Sequence, residues 1–317
     1  MTCTRCESSS GRQGHSVLGI ILIVGAAVAF FITAIFNGAA SSFGKDLGLF
    51  LNSTADISDI YSLDITPAGW VFSIWGLIYL WQAIFLVYGI ASIFRKGEDG
   101  YLYRTPAVVP IQVYLLYIIN MILNLTWIFF WDREMMITGL VVISMMVFTV
   151  HLMLFCSYRD FNAVALELKQ WGWDREIWLV RILVHNAWAF YCGWISVATL
   201  LNFSIVLAYR GPVSVEDACT ASLGVLTVEL VLYFCIETFV YDRYLRYQFS
   251  QYIPVLLALI GGLTKNWDST SRNSLFTAAL LGIAGVLSIA KVVIMVVRHR
   301  RSPLPEQRES QTEQPAA

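Results

Sequence analysis

Apolar residues in this chain occur in long runs rather than in the alternating or one-faced patterns of a water-soluble fold. Eight such runs approach or exceed the roughly 20 residues that a helix needs to cross the hydrocarbon core of a bilayer. They cover residues 17–36, 69–94, 108–131, 135–158, 177–209, 221–241, 249–263 and 275–297. The pattern predicts an all-α fold, a polytopic transmembrane bundle of about eight spans with the lipid bilayer as its solvent.

Composition agrees with this class of protein. Apolar residues make up 57% of the 317 residues, charged residues 14%, and the mean hydropathy is +0.65. So few charges cannot cover the surface of a water-soluble globule. The net charge of -1 gives no reason to expect nucleic acid as a partner. No phosphate-binding loop, dinucleotide fingerprint or metal-ligand motif is present, and no cofactor or metal is predicted.

The seventh run is the weakest, because it is short and contains Pro254 and the pair Gly261-Gly262. A re-entrant segment is the alternative. Charge favours a full span, since cytoplasmic loops of membrane proteins are rich in Lys and Arg. With eight spans and both termini inside, only five of the 21 Lys and Arg residues fall outside, namely Lys45, Arg133, Arg210, Lys265 and Arg272.

The glycosylation sequon at Asn52 lies in the first loop, which this topology places on the non-cytoplasmic face. We therefore expect a membrane of the secretory route, plausibly the plasma membrane. A glycosidase-sensitive gel shift that is lost in Asn52→Gln checks this. A cleaved signal peptide is the alternative interpretation of the first run, although its apolar core is longer than usual. Cys3 and Cys6 are candidates for S-acylation, with an ordinary reduced pair as the simpler interpretation.

Aromatic residues concentrate where the second span begins. Residues 66–79 read TPAGWVFSIWGLIY and place Trp70, Phe72 and Trp75 at the aqueous end of a helix. Such rings form either an interfacial belt or the wall of a pocket.

Two further spans carry interior-facing stripes of polar and aromatic residues. In the third span, Asn120, Asn124 and Trp127 share one helical face. An Asn in hydrocarbon needs a partner, which is either a neighbouring helix or a ligand. In the fifth span, Tyr191 and Trp194 lie on one face together with Asn202. Alone, this second stripe is consistent with simple packing.

Together the three segments resemble the tryptophan-rich sensory protein and translocator protein (TspO/MBR) family. Residues 67–79 echo the aromatic signature of its second helix. Leu123 to Trp127, followed by Phe129-Phe130, echo its third helix, and residues 190–202 echo its fifth. The spacing from Trp70 to Trp75 is one residue shorter than in the family, and Phe190 stands where the family has proline. The pocket is therefore expected to be reshaped.

The resemblance implies a TspO-like five-helix core over residues 17–209, with a pocket toward the loop between the first two helices. The chain is thus expected to have four segments: a cytoplasmic tail (1–16), this core, a three-span extension (210–297) and a polar, disordered cytoplasmic tail (298–317). Members of the family bind porphyrins, sterols and aromatic carboxamides. The implied ligand-binding positions are Trp70, Phe72, Trp75, Asn124, Trp127, Tyr191 and Trp194.

The extension contains Glu229 and Glu237, the two residues whose side chains cost the most free energy to place within a membrane span. Glu229 lies near mid-span, where it either pairs with His151 or His185 or stays protonated. Glu229 and His151 are therefore candidates for an ion or proton path. Glu237 is expected near the cytoplasmic interface, within reach of water.

The sequence favours a non-enzymatic membrane protein that binds a flat hydrophobic small molecule, such as a porphyrin, as a receptor or a carrier. A secondary transporter or channel that uses Glu229 as an intramembrane charge is the alternative. An enzyme that degrades a porphyrin-like ligand needs a redox or acid–base centre, and the sequence shows no convincing one. The short animal members of the family are found in the outer mitochondrial membrane, which is the alternative location. The sequence does not give the oligomeric state.

Overall fold

The computed structural model describes residues 14–41, 43–97 and 100–305. In chain order the α-helices are α1 (Val17–Ser41), α2 (Thr54–Ile60), α3 (Ile74–Phe94), α4 (Ile111–Asp132), α5 (Met136–Gln170), α6 (Asp174–Val180), α7 (Ala187–Tyr209), α8 (Val215–Cys235), α9 (Asp242–Leu245), α10 (Tyr252–Asn266) and α11 (Arg272–Arg301). A 3₁₀ turn, Gly69–Ser73, leads into α3. One π-helical segment, Arg181–Asn186, joins α6 to α7, and another, Ile236–Val240, continues α8. The described chain is therefore all-helical, as predicted.

Within the described residues, seven helical segments are long and apolar enough to cross a membrane: Val17–Ser41, Gly69–Phe94, Ile111–Asp132, Met136–Gln170, Asp174–Tyr209, Val215–Val240 and Arg272–Arg301. Each corresponds to one of the predicted spans. α5 has 35 residues and so extends about 52 Å, well beyond the hydrocarbon thickness. The structure therefore confirms a polytopic helical bundle.

α10 corresponds to the seventh predicted span and has only 15 residues. Its last residues contact the loop that follows α1, since Asn266 Nδ2 donates to the Thr66 carbonyl at 2.9 Å. The segment in front of it, residues 246–251, lies inside the protein near the π-helical turn of the fifth span. There the backbone amides of Phe249 and Ser250 donate to Asn186 Oδ1 at 3.1 and 3.2 Å. The short helix therefore connects opposite ends of the bundle, with the polar segment completing the crossing.

α7 is the central helix of the bundle. It contacts α3 and α5 on one side and α8 and α10 on the other. Trp188, Trp194 and Ile195 of this helix are at most 1% exposed. The aromatic residues of the fifth span therefore lie at the centre of the molecule because this helix packs against four others.

Polar caps set the ends of several helices. The Ser53 hydroxyl accepts from the Asp56 amide, and the Asp56 carboxylate accepts from the Ser53 amide, so α2 begins with a capping box. At the N-termini of α8 and α11, the side chains of Ser214 and Ser271 accept from the Asp217 and Ser274 amides, respectively. α2 lies in the connection between α1 and α3. We call the end of the bundle that carries this connection the mouth end.

α1 is part of the core. Ile23 and Phe30 of α1 are buried, and Thr33 Oγ1 donates to the Met121 carbonyl of α4 at 3.4 Å. These contacts favour a retained first span over a cleaved one. At the other terminus, α11 continues to Arg301, so the start of the predicted disordered tail at residue 298 falls within this helix. Cys3 and Cys6 lie outside the described residues.

Candidate functional site: an aromatic cavity at the mouth end

A cavity of about 810 Å³ opens at the mouth end of the bundle. We call it the mouth cavity. α1, α2, α3 and α4 surround it, together with residues 66–73, which we call the mouth segment, and the last turn of α10. Its lining residues are Ala34, Asn37, Gly38, Ser41, Thr54, Ala55, Ser58, Asp59, Pro67, Gly69, Phe72, Ser73, Trp75, Gly76, Tyr79, Trp127, Ile128 and Lys265. The volume lies within the range of small-molecule and cofactor sites.

Aromatic rings form one wall of the mouth cavity. Trp75 and Tyr79 are stacked, with ring centroids 5.6 Å apart. Behind them, Trp194 meets Trp75 edge-on at 6.2 Å and Phe72 edge-on at 6.0 Å. Edge-to-face contacts of this kind hold the rings in fixed orientations. The wall is therefore built before any ligand arrives.

The predicted ligand-binding residues occupy three positions relative to the cavity. Phe72, Trp75 and Trp127 line it directly. Trp194 and Tyr191 lie one layer behind, each at most 1% exposed and each in ring contact with Trp75.

The other two predicted residues do not line the cavity. Asn124 reaches it only through Asn37, whose Nδ2 donates to Asn124 Oδ1 at 2.7 Å. Trp70 points away from the bundle and is 51% exposed. Trp70 therefore has the geometry of an interfacial ring, whereas its neighbours Phe72 and Trp75 have that of a pocket wall.

Two lining residues carry a buried polar atom without a hydrogen-bond partner among the described residues. They are the Tyr79 hydroxyl and Trp127 Nε1. Buried donors normally find a partner, because an unpaired one costs its desolvation free energy. Both atoms are themselves inaccessible to solvent, so they lie behind the cavity surface and the rings of these residues face the void.

Asn120 has a structural role, although it shares a helical face with Asn124 and Trp127. Its Nδ2 donates to the Met146 carbonyl at 3.0 Å and to Thr149 Oγ1 at 2.8 Å. Its Oδ1 accepts from the Tyr191 hydroxyl at 3.0 Å. Asn120 therefore connects α4, α5 and α7, as the packing interpretation of this stripe proposes.

Sequence reasoning did not find Asn37, Ser58 or Lys265 as lining residues. Asn37 follows an otherwise apolar run, and a single amide at a helix end carries no specific signal. Lys265 lies far along the chain in the extension, and nothing in its sequence context links it to residues 66–79. The resemblance placed the pocket only toward the loop between the first two helices, which contains Asp59.

The extension supports the mouth segment directly. The Ala68 amide donates to the Gly261 carbonyl at 3.0 Å. A side chain at Gly261 would meet the Val71 methyl group, and its Cβ would lie 3.3 Å from Pro67 Cβ. Gly261 therefore allows the close approach of α10 to the mouth segment. The pair Gly261-Gly262, which made this span look weak in the sequence, has a packing function.

Charges at the mouth end are arranged in pairs. Lys265 Nζ lies 3.2 Å from Asp59 Oδ1, and Lys45 Nζ lies 3.7 Å from Asp56 Oδ2. Hydrogen bonds from the Ser53 backbone and hydroxyl, with a contribution from Lys45, hold the pKa of the Asp56 carboxyl below its usual value. Asp56 is thus committed to capping α2, whereas Asp59 faces the cavity.

His151 lines a second cavity of about 380 Å³, between α5, α7, α8 and α9. Its Nδ1 lies 2.9 Å from the Val147 carbonyl, and its ring nitrogens lie 3.6 and 3.7 Å from Cys192 Sγ. Glu229 is on the exposed face of α8 and makes no ion pair within the described residues. His185 instead forms a hydrogen bond with Ser157, with 3.1 Å between His185 Nε2 and Ser157 Oγ. The ion or proton role of Glu229 and His151 stays a prediction.

The expectation that Glu237 reaches water is wrong. Its side chain is fully buried, its Oε2 lies 3.1 Å from Lys291 Nζ, and it accepts from the Tyr252 hydroxyl. Lys291 also donates to the Leu245 carbonyl at 3.0 Å. The two charges neutralise each other inside the extension, and this pairing is why neither of them has to reach the surface.

The fold and the cavity define a multi-pass integral membrane protein with an aromatic-walled cavity at one end of its helical bundle. A family model described as TSPO-like protein matches residues 20–295, and the chain belongs to this family. The match spans the predicted core and also nearly all of the predicted extension. Searches of curated proteins and of solved structures gave no match.

Proposed function

We propose that this protein binds a flat, largely apolar small molecule in the mouth cavity, as a receptor or a carrier. The observation that carries the proposal is a large cavity whose wall of fixed aromatic rings is already formed. Flat apolar ligands gain most from stacking on fixed rings, and a few polar groups set their orientation. Porphyrin-like, sterol-like and aromatic carboxamide compounds all have this form.

Family membership supports the same proposal, since the aromatic motifs that resemble the TspO/MBR family are the ones that build the cavity. Phe72 and Trp75 come from the second-span motif and Trp127 from the third-span motif, and both motifs meet at one void. The fifth-span motif supplies Tyr191 and Trp194 behind the wall. No covalent step is part of this proposal.

Trp75 and Trp70 form a matched pair for testing it, because one lines the cavity and the other points outward. The full chain in detergent is titrated with protoporphyrin IX, and quenching of tryptophan fluorescence gives the affinity. We expect Trp75→Leu to weaken binding about tenfold through loss of stacking, and Trp70→Leu to leave it nearly unchanged. Absence of saturable quenching in the wild type, or equal effects of the two variants, contradicts the proposal.

A further inference from the structure

The mouth cavity has a charged end as well as an aromatic wall. Of its described lining residues, Lys265 is the only cation and Asp59 the only carboxylate. Their side chains meet at 3.2 Å, so that α2 and α10 are joined across the mouth. The stacked rings and the ion pair thus face the same void.

The position of Lys265 is fixed by its backbone. It occupies the last turn of α10, next to Asn266, whose side chain donates to the Thr66 carbonyl at 2.9 Å. The Asn266 carbonyl in turn accepts from Ser274 Oγ at 2.9 Å. Four residues before Lys265, the Gly261 carbonyl accepts a hydrogen bond from the Ala68 amide. Lys265 is therefore held by the same contacts that hold the mouth segment in place.

Asp59 is the weaker partner of this pair. Its side chain is 73% exposed, whereas that of Lys265 is 33% exposed. A carboxylate that is already hydrated loses little when it leaves, and an ion pair this exposed adds little stability. The Lys265 ammonium, beside an apolar cavity, gains more from a carboxylate on the cavity side, where the effective dielectric constant is lower.

Three other carboxylates of the mouth end have partners elsewhere. Asp56 belongs to the capping box of α2 and lies near Lys45. Asp64 accepts from Asn273 Nδ2 at 2.9 Å, and Asp268 accepts from the Thr270 amide at 2.8 Å. Among the described residues, Asp59 is the carboxylate that forms an ion pair with Lys265.

We propose that Lys265 receives a carboxylate of the ligand in exchange for Asp59, so that the mouth cavity selects flat apolar molecules with an acidic group at one edge. This inference rests on the proposed function and names its substrate class. The rings of the ligand stack on Phe72, Trp75 and Trp127, and its acidic edge lies at the mouth. The specificity of the site then comes from the extension, whereas the aromatic wall comes from the five-helix core.

The test compares protoporphyrin IX, which carries two propionates, with its dimethyl ester, which has the same ring but no charge. Affinities of the full chain in detergent are measured at pH 7 for the wild type, Lys265→Met, Lys265→Arg, Asp59→Asn and Lys45→Met. Lys45 is the matched control, because it is a lysine of the same end that does not line the cavity.

We expect the wild type to bind the acid about tenfold more tightly than the ester, through a charge-assisted hydrogen bond. Lys265→Met removes this preference while saturable binding of the ester persists, which also shows that the variant is folded. Lys265→Arg keeps the preference, Asp59→Asn increases it, and Lys45→Met has no effect. High salt reduces the preference, because the site opens to water.

The possible failures are distinguishable. Binding of both compounds with a ratio that Lys265→Met does not change overturns the role of Lys265 and leaves the proposed function standing. Equal binding of acid and ester by the wild type likewise overturns the role of Lys265 and leaves the proposed function standing. If the wild type binds neither compound, the proposed function itself fails, and the inference fails with it.

Discussion

The two ends of this bundle use their buried polar groups differently. At the mouth end, Tyr79 and Trp127 each keep an unpaired donor beside a cavity of about 810 Å³. At the other end, Asn186 bonds to the Arg181 and Tyr247 carbonyls and to the amides of Phe249 and Ser250. Buried polar atoms with partners hold a fold together, whereas the mouth end has a large aromatic-walled cavity that is open to a ligand.

The buried ion pair of the extension gives the largest expected effect on stability. Lys291→Met leaves the Glu237 carboxylate buried without its cation, which costs about 3–5 kcal/mol. We expect a marked fall in the thermal unfolding midpoint of the detergent-solubilised protein. The double variant Lys291→Met/Glu237→Gln should recover much of the loss, because no unpaired charge then remains. If the single variant is as stable as the wild type, the pair is not needed for the fold.

The contact between α10 and the mouth segment gives the next largest effect. Gly261→Ala forces the new methyl group against Val71 and Pro67 and costs about 1–3 kcal/mol by overpacking. Because α10 carries Lys265, we also expect weaker binding of protoporphyrin IX. Gly282→Ala in α11 is the matched control, since nothing lies within 4 Å of its Cβ position. Equal unfolding midpoints for the two variants would contradict the proposed close approach.

Asn120 and Asn124 sharpen the comparison within one helix face, and here the expected effects are smallest. Asn120→Ala leaves the buried Tyr191 hydroxyl without its acceptor and removes two further hydrogen bonds, at a cost of about 1–3 kcal/mol. Asn124→Ala removes the side-chain acceptor of Asn37, whose Nδ2 still donates to the Thr33 carbonyl. We expect the first variant to lower the unfolding midpoint and the second chiefly to change ligand affinity. Both quantities are measured on the same preparations.

The fold class could be predicted because the bilayer imposes a strong constraint. A span needs about 20 apolar residues with every backbone group bonded internally, and such runs are visible in any sequence. The run at residues 249–263 was ambiguous for the same reason. α10 has only 15 residues, and the polar segment 246–251 before it is held inside the protein in part by hydrogen bonds from the Phe249 and Ser250 amides to Asn186.

The candidate site could be predicted in part. Helical periodicity correctly placed Asn124 and Trp127 on a buried face, and Tyr191 and Trp194 on another. It could not separate Trp70 from Phe72 and Trp75, because the 3₁₀ turn Gly69–Ser73 changes the rotation per residue just where these rings lie. The burial of Glu237 was missed because its partner Lys291 is 54 residues away in the chain, on a different helix.

The sequence by itself determined that this chain is a helical membrane protein, which faces of its helices are buried, and that aromatic residues gather near one end. Those properties follow from local hydrophobicity and helical geometry. Only the tertiary structure decided that three of the predicted residues share one cavity, that Gly261 brings α10 against the mouth segment, and that Lys265 meets Asp59 there. Residues 59 and 265 are neighbours only because the fold brings α2 and the end of α10 to the same mouth, and no local pattern encodes that contact.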